Sequence, residues 1–361
     1  LSLVGSEMCI RDRYYSQLRE NNPIHENSDG SFIVTSYETL VDIYKNHQLW
    51  SSDKKEEFKP KFGNSLLYEH HTTSVVFTDQ PDHTRIRKIF QHAFTPRALA
   101  HIENNVEQLV QSYIDEMKEK KDIEFVRDFS FRLPVDVVCD ILGVPKEDRK
   151  LIRDWARLIL GALEPTLSEE QFKSGCSAVL NFKNYLKDQV NLRKKNPHLS
   201  RDGEIISTLI DAQSSGIELS EVELLHQCIF MLNAGHETST NMLSHGMCEL
   251  INNKDQLDLL RNDEKLISST IEEILRYHPP IQVNNRRNKK DTILENKKIP
   301  KGTSVHMIIA AANRDPKQFN NPDKFIVSRK PNKHLSFGLG IHICAGNTCL
   351  LYTSDAADEE R

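Results

Sequence analysis

Cys344 stands in Phe337-Gly338-Leu339-Gly340-Ile341-His342-Ile343-Cys344-Ala345-Gly346, seven positions after an aromatic ring and two after an imidazole. A thiol in so glycine-rich a loop is suited to bind a metal, because backbone N–H groups turned toward the sulfur keep a thiolate ionised. Gly338, Gly340 and Gly346 admit positive φ and let the backbone press close to a flat ligand, one side of which Phe337 can cover. The bland alternative is burial as a small, inert hydrophobe. The chain has seven cysteines at scattered spacings and no C-x-x-C pair, which fits a reducing cytoplasm rather than a disulfide framework or a zinc site.

A second group of reactive residues needs a helix to position it. Ser220-Glu221-Val222-Glu223 reads as a capping box, and Val222, Leu225, Ile229, Leu232, Met242, Leu243, Met247 and Leu250 then recur at helical spacing. The spacing predicts a helix of roughly 30 residues, about 45 Å long. Its middle reads Asn233-Ala234-Gly235-His236-Glu237-Thr238-Ser239-Thr240, where a glycine costs about 1 kcal/mol relative to alanine. Gly235 removes a side chain where a ligand could approach. Thr238 offers a hydroxyl donor, and Glu237 a carboxylate able to relay protons from solvent. Back-bonded hydroxyls and a glycine that merely permits close packing would also produce this sequence.

Taken together, the cysteine loop and the helix centre resemble the cytochrome P-450 superfamily. The loop fills every fixed position of its haem-ligand pattern, and Ala234 to Ser239 is similar to its Ala-Gly-x-Glu-Thr-Thr/Ser signature. Glu273-Ile274-Leu275-Arg276 is similar to its E-x-x-R, whose partner by resemblance is Arg329, in a structural network. Asp79-Gln80-Pro81-Asp82-His83-Thr84-Arg85-Ile86-Arg87 resembles its Asp-Pro-Pro-Glu-His-x-x-x-Arg helix start, with Gln80 and Asp82 as departures. His83 and Arg87 fall four apart, hence on one helix face. The resemblance implies haem b with Cys344 as the axial thiolate to iron, and His83, Arg87, Arg286 and His334 toward the propionates. Arg287 rivals Arg286. The implied fold is mainly α with a small β lobe, a triangular, helix-rich body with haem between the central long helix and the cysteine loop. The implied activity is that of a haem-thiolate monooxygenase, in which Glu237 and Thr238 deliver protons to dioxygen. Thiolate ligation makes iron electron-rich and favours O–O cleavage.

No flavin or nicotinamide fingerprint is present, so the resemblance implies a separate ferredoxin or flavodoxin, docking near Arg85 and Lys88. An apolar small-molecule substrate is expected, walled by residues 64–77 and by 155–182, where Trp155, Leu158, Ile159, Leu160 and Leu163 are apolar. Rival readings are a haem-thiolate peroxygenase, and a non-catalytic or truncated haem-binding protein. The intact acid–alcohol pair argues against the peroxygenase, because peroxide already carries its protons.

Composition bounds the rest. The chain has 361 residues and a formal net charge of -5, so no global basic field argues for nucleic acid. The basic clusters at 118–122 and 193–198 read as solvated helix ends and loops. No apolar run approaches the ~20 residues that span a bilayer, and the expected location is cytoplasmic. A hairpin is predicted at Ile24-His25 and Phe32-Ile33-Val34 around an Asp-Gly turn, a helix over 14–20 and another over 37–46. Residues 64–77 read as loop, 81–260 as almost continuously helical, and 303–309 as a strand. The natural domain is expected over 14–347, with 1–13 and 348–361 resembling translated sequencing adapters on a truncated fragment.

Overall fold

The computed structural model describes residues 2–93, 96–164, 166–199, 204–214 and 219–347. In chain order the elements are α1 (Ser2–Asn21), β1 (Ile24–Glu26), β2 (Phe32–Val34), α2 (Tyr37–Lys45), β3 (Trp50–Ser51), α3 (Lys55–Phe62) and α4 (Leu66–Thr73). Next come α5 (Asp82–Ala93), α6 (Pro96–Lys118), α7 (Arg132–Leu142), α8 (Arg149–Gly161), α9 (Glu169–Lys195), α10 (Ile205–Ser214) and α11 (Glu221–Asn252). The chain continues with α12 (Lys254–Asn262), α13 (Ile267–Tyr277), β4 (Val283–Asn288), β5 (Thr292–Leu294), β6 (Lys297–Ile299), β7 (Ser304–Ile308) and α14 (Ile309–Ala312). Helix dominates, as predicted. The described chain forms two compact units, and the boundary falls within α11, between Thr240 and Asn241.

The first unit joins the residues up to Ser52 to those from Asn241 onward. It holds a five-stranded sheet of order β1-β2-β7-β4-β3 and a small β5–β6 hairpin. The predicted hairpin forms, with His25 opposite Ile33, and β2 then pairs parallel to β7, which lies far along the chain. Val34, Leu40, Ile43, Trp50, Val305 and Met307 interdigitate beneath the sheet as one buried cluster. A second cluster packs Met242 against Ile274, Leu275, Phe325 and Val327. Helix α1 runs back through the residues set aside as foreign, and Asp12 pairs with Arg314 at 3.1 Å. Residues 348–361 lie outside the described part.

The second unit, Asp53–Thr240, is helical. Its breaks fall at glycine and proline: Gly143 ends α7 at φ 83°, and α6 starts on Pro96. Three readings are corrected. Residues 64–77 are not loop but α4 followed by a 3₁₀ turn (Val75–Phe77), because the Ser65 hydroxyl caps the Tyr68 N–H at 3.3 Å and Leu67, His70 and His71 supply a buried face. The 193–198 cluster is not wholly solvated. Arg193 is buried, donating to the Gly143 carbonyl at 2.6 Å and lying 3.4 Å from Glu204, partners the linear charge pattern does not show. Val222 and Met247, counted in the apolar stripe of α11, are exposed. The helix itself covers 32 residues, and its capping box is reciprocal: Glu223 N–H donates to Ser220 Oγ at 3.2 Å and Ser220 N–H to Glu223 Oε2 at 2.9 Å.

Candidate active site

In the first unit the cysteine loop is closed by its own backbone. Cys344 N–H donates to the Phe337 carbonyl at 2.8 Å, and Gly338 N–H to Leu335 at 2.9 Å. Gly340 has φ 71°, and a Cβ there would meet the Tyr44 carbonyl oxygen at 2.6 Å, so only glycine lets the loop lie against the end of α2. Cys344 is exposed. Cys139 and Cys228 are buried, and burial pushes both thiols up to about 12, the inert condition that the bland reading assigned to Cys344. An accessible soft sulfur donor in a pinned loop fits the iron of haem. Phe337 packs against the α13 core, its ring 5.6 Å from that of His334.

The segment leading into the loop is fixed by buried charge. Glu273 takes Arg276 Nε at 2.8 Å and Arg329 Nε at 2.9 Å, and Glu273 and Arg276 are wholly buried. The remaining guanidinium donors reach backbone carbonyls of Asn313, Pro322, Lys324 and Asn320. These bonds satisfy the charges the network buries. Sequence reasoning missed Asn313 and Ser336. Asn313 Oδ1 accepts from Leu335 N–H at 2.8 Å, and Ser336 Oγ donates to the Leu275 carbonyl at 2.6 Å, which anchors the first residues of the loop to α13. Neither has a sequence signal beyond being polar between apolar neighbours.

The cationic candidates separate by their surroundings. On β4, Arg286 and Arg287 face opposite sides of the sheet. Arg287 Nε donates to the Gly302 carbonyl at 2.7 Å, whereas Arg286 is buried, with its guanidinium 5.6 Å from the Tyr44 ring. His334 stands just before the loop, where its Nδ1 accepts from Ser336 N–H at 3.2 Å and its Nε2 lies 2.7 Å from a Glu272 carboxylate oxygen.

In the second unit, α11 turns its buried side inward through Leu232, Asn233, His236 and Thr240, while Ala234 and Glu237 are exposed and Thr238 half-buried. Thr238 Oγ1 donates to the Ala234 carbonyl at 2.7 Å, so its proton is held within the helix until another acceptor takes its place. His236 lies edge-on to Phe131, ring centroids 4.7 Å apart, and burial lowers its pKa to about 4. At Gly235 a Cβ would fall 2.7 Å from Val138 Cγ2, so the missing side chain makes room for α7. On α5, His83 is buried and Arg87 half-buried, one turn apart on one face. Arg85, offered as a docking cation, pairs with Asp82 at 3.2 Å and with Glu223. Ile159 and Phe182 are fully buried, and Trp155 packs on Phe182.

The cytochrome P450 family profile matches residues 24–348. A biotin biosynthesis cytochrome P450 of Bacillus subtilis is 33% identical over 341 residues, 93% of this chain and 84% of that protein. The cytochrome P450 CYP107DY1 of Priestia megaterium is 32% identical over 88% of this chain and 78% of its own length. The crystal structure of P450BioI in complex with hexadec-9Z-enoic acid ligated acyl carrier protein superposes with a TM-score of 0.87 at 32% identity, covering 95% of this chain and 88% of that one. The chain belongs to the cytochrome P450 family. It is a monooxygenase, and its cofactor is the haem b that the family binds through a cysteine thiolate.

Proposed function

We propose that Cys344 is the thiolate ligand and that the chain oxygenates an apolar, acyl-type substrate with electrons from a separate ferredoxin- or flavodoxin-type donor. The observation that carries the reading is the exposed Cys344 thiol at the end of a loop closed by the Phe337 carbonyl. When bound, haem supplies dioxygen activation. His83, Arg87, Arg286 and His334 would meet its carboxylates by charge and hydrogen bonding, with Arg286 preferred over Arg287 because it is buried on the other face of β4, beside Tyr44. Glu237, exposed on α11, collects protons from solvent. Thr238 would hold a proton at Oγ1, available for transfer once its bond to the Ala234 carbonyl is released, the positioning task of a general acid. The acyl class is supported by the relative seen with an acyl-carrier-ligated hexadecenoic acid, so the substrate is proposed as a long chain, free or carrier-linked. Among the described residues no helix is long and apolar enough to cross a membrane.

The reduced protein with carbon monoxide should show the red-shifted Soret band of thiolate-ligated haem, and Cys344→Ser should lose it. Retention of the band by the mutant would assign the iron to another ligand. Long-chain fatty acids should displace water from the iron in the ferric spectrum, and a series that produces no spectral change would remove the acyl reading while leaving the ligand assignment intact.

A further inference from the structure

Tyr44, in the last turn of α2, stands where the cysteine loop meets β4. Its ring lies against the loop: a Cβ added at Gly338 would come 3.6 Å from Tyr44 Cε1, and Gly340 passes close over the Tyr44 carbonyl. The same ring is 5.6 Å from the Arg286 guanidinium. Tyr44 is 4% exposed and belongs to the buried cluster beneath the sheet. A phenylalanine would fill that position as well, and a hydroxyl taken out of water costs free energy unless it is hydrogen-bonded. The question is therefore what the phenol bonds to.

The neighbouring amide fixes which way the hydrogen bond runs. Asn284 Oδ1 accepts from Arg286 Nη1 at 3.2 Å and from the Asn285 N–H at 2.8 Å, which leaves Nδ2 to face Tyr44, 3.4 Å from its oxygen. The phenol oxygen is an acceptor there, and its own proton meets no acceptor among the described residues. Burial pushes the phenol pKa up, against the pull of Arg286, so the proton stays on the oxygen at neutral pH. A tyrosine O–H and a guanidinium set side by side, both buried and both at the edge of the loop that carries Cys344, match a carboxylate: the arginine supplies charge and the phenol a further hydrogen bond. No motif marks Tyr44 for this task, since it precedes Asn284 by 240 residues.

We propose that Tyr44 is a haem-binding residue, donating its phenol hydrogen bond to a haem carboxylate beside Arg286. The proposal rests on the assignment of Arg286 to that carboxylate. The test compares haem-loaded wild type, Tyr44→Phe and Arg286→Leu by haem transfer to excess apomyoglobin and by resonance Raman spectroscopy of the propionate bending modes. Tyr44→Phe keeps the ring and its packing, so the carbon monoxide band should be unchanged. Haem should leave at least about tenfold faster, the loss of one charge-assisted hydrogen bond. A bending mode should shift as well, a signature that loosened packing alone does not produce. Unchanged transfer and modes in Tyr44→Phe, with faster transfer from Arg286→Leu, overturn the Tyr44 proposal and leave Arg286 assigned. Faster transfer from Tyr44→Phe without a mode shift marks a packing role and overturns it too. Wild-type behaviour in both variants overturns both assignments.

Discussion

At the residue scale, the most informative positions are those where a small group serves packing and a hydroxyl serves chemistry within one turn of α11. Gly235→Ala places a methyl 2.7 Å from Val138 Cγ2, an overpacking expected to cost about 1–3 kcal/mol. Thermal unfolding should show the loss, and adding Val138→Ala should restore much of it. If Gly235→Ala leaves stability unchanged yet weakens haem or substrate binding, the glycine serves a ligand after all. Thr238→Ala should behave differently. It removes one back-bond and no core volume, so haem and substrate binding should persist while electrons are diverted to hydrogen peroxide. Product per electron consumed is the decisive ratio; a ratio equal to wild type would take Thr238 out of proton delivery. The motif placed both residues, but only the distance to Val138 separates the two roles, because a glycine's neighbour on another helix leaves no mark in the local sequence.

At the element scale, two anchors make contrasting demands on the chain. Arg329 joins the run before the cysteine loop to α13 through buried Glu273. Arg329→Met leaves that carboxylate partly unpaired and should cost about 3–5 kcal/mol, read from the denaturation midpoint together with haem retention. A loss under about 1 kcal/mol would mark the network as no stronger than a surface pair. The second anchor holds α4 on α11. His70 Nδ1 lies 3.2 Å from His226 Nδ1, His226 Nε2 lies 2.7 Å from Glu69 Oε1, and Lys183 of α9 pairs with the same carboxylate. His71 packs among Phe58, Phe62 and Phe77. Burial, with lesser repulsion from neighbouring cations, lowers the pKa of His70 and of His71, the latter to about 3, and burial lowers His226 despite Glu69. The unfolded chain therefore binds more protons, so stability is complete above pH ~6.5 and falls as pH drops below it, by up to about 1.4 kcal/mol per pH unit for each such histidine. His71→Phe should flatten the melting-temperature profile between pH ~6.5 and ~5, since a ring that cannot titrate suits an aromatic cage. A profile as steep as wild type would place the acid sensitivity elsewhere.

At the scale of the whole molecule, the family assignment turns supply of electrons into the open variable. Product should form with a ferredoxin or flavodoxin and its reductase, and only weakly with hydrogen peroxide alone; peroxide-driven turnover matching the donor-driven rate would establish the peroxygenase reading instead. Much of this protein was legible before folding. The cysteine loop, the capping box of α11, the Asp-Gly hairpin and the glycine and proline helix ends obey rules that span ten residues or fewer, so a linear reading reaches them. Glu273, Arg276 and Arg329 were grouped only through the family resemblance, since an E-x-x-R spacing alone is common on helix surfaces. Other features required the tertiary structure. Residues 64–77 read as loop because their hydroxyls and histidines give no apolar stripe, yet they form α4 once His226 and Gln227 on distant α11 answer His70 and the Val75 N–H. Arg193 looked solvated until Gly143 and Glu204 closed on it. The parallel pairing of β2 with β7 is equally silent in the sequence. Short-range stereochemistry and capping are written in neighbouring residues, whereas burial and hydrogen-bond satisfaction depend on which distant groups arrive, and only folding decides that.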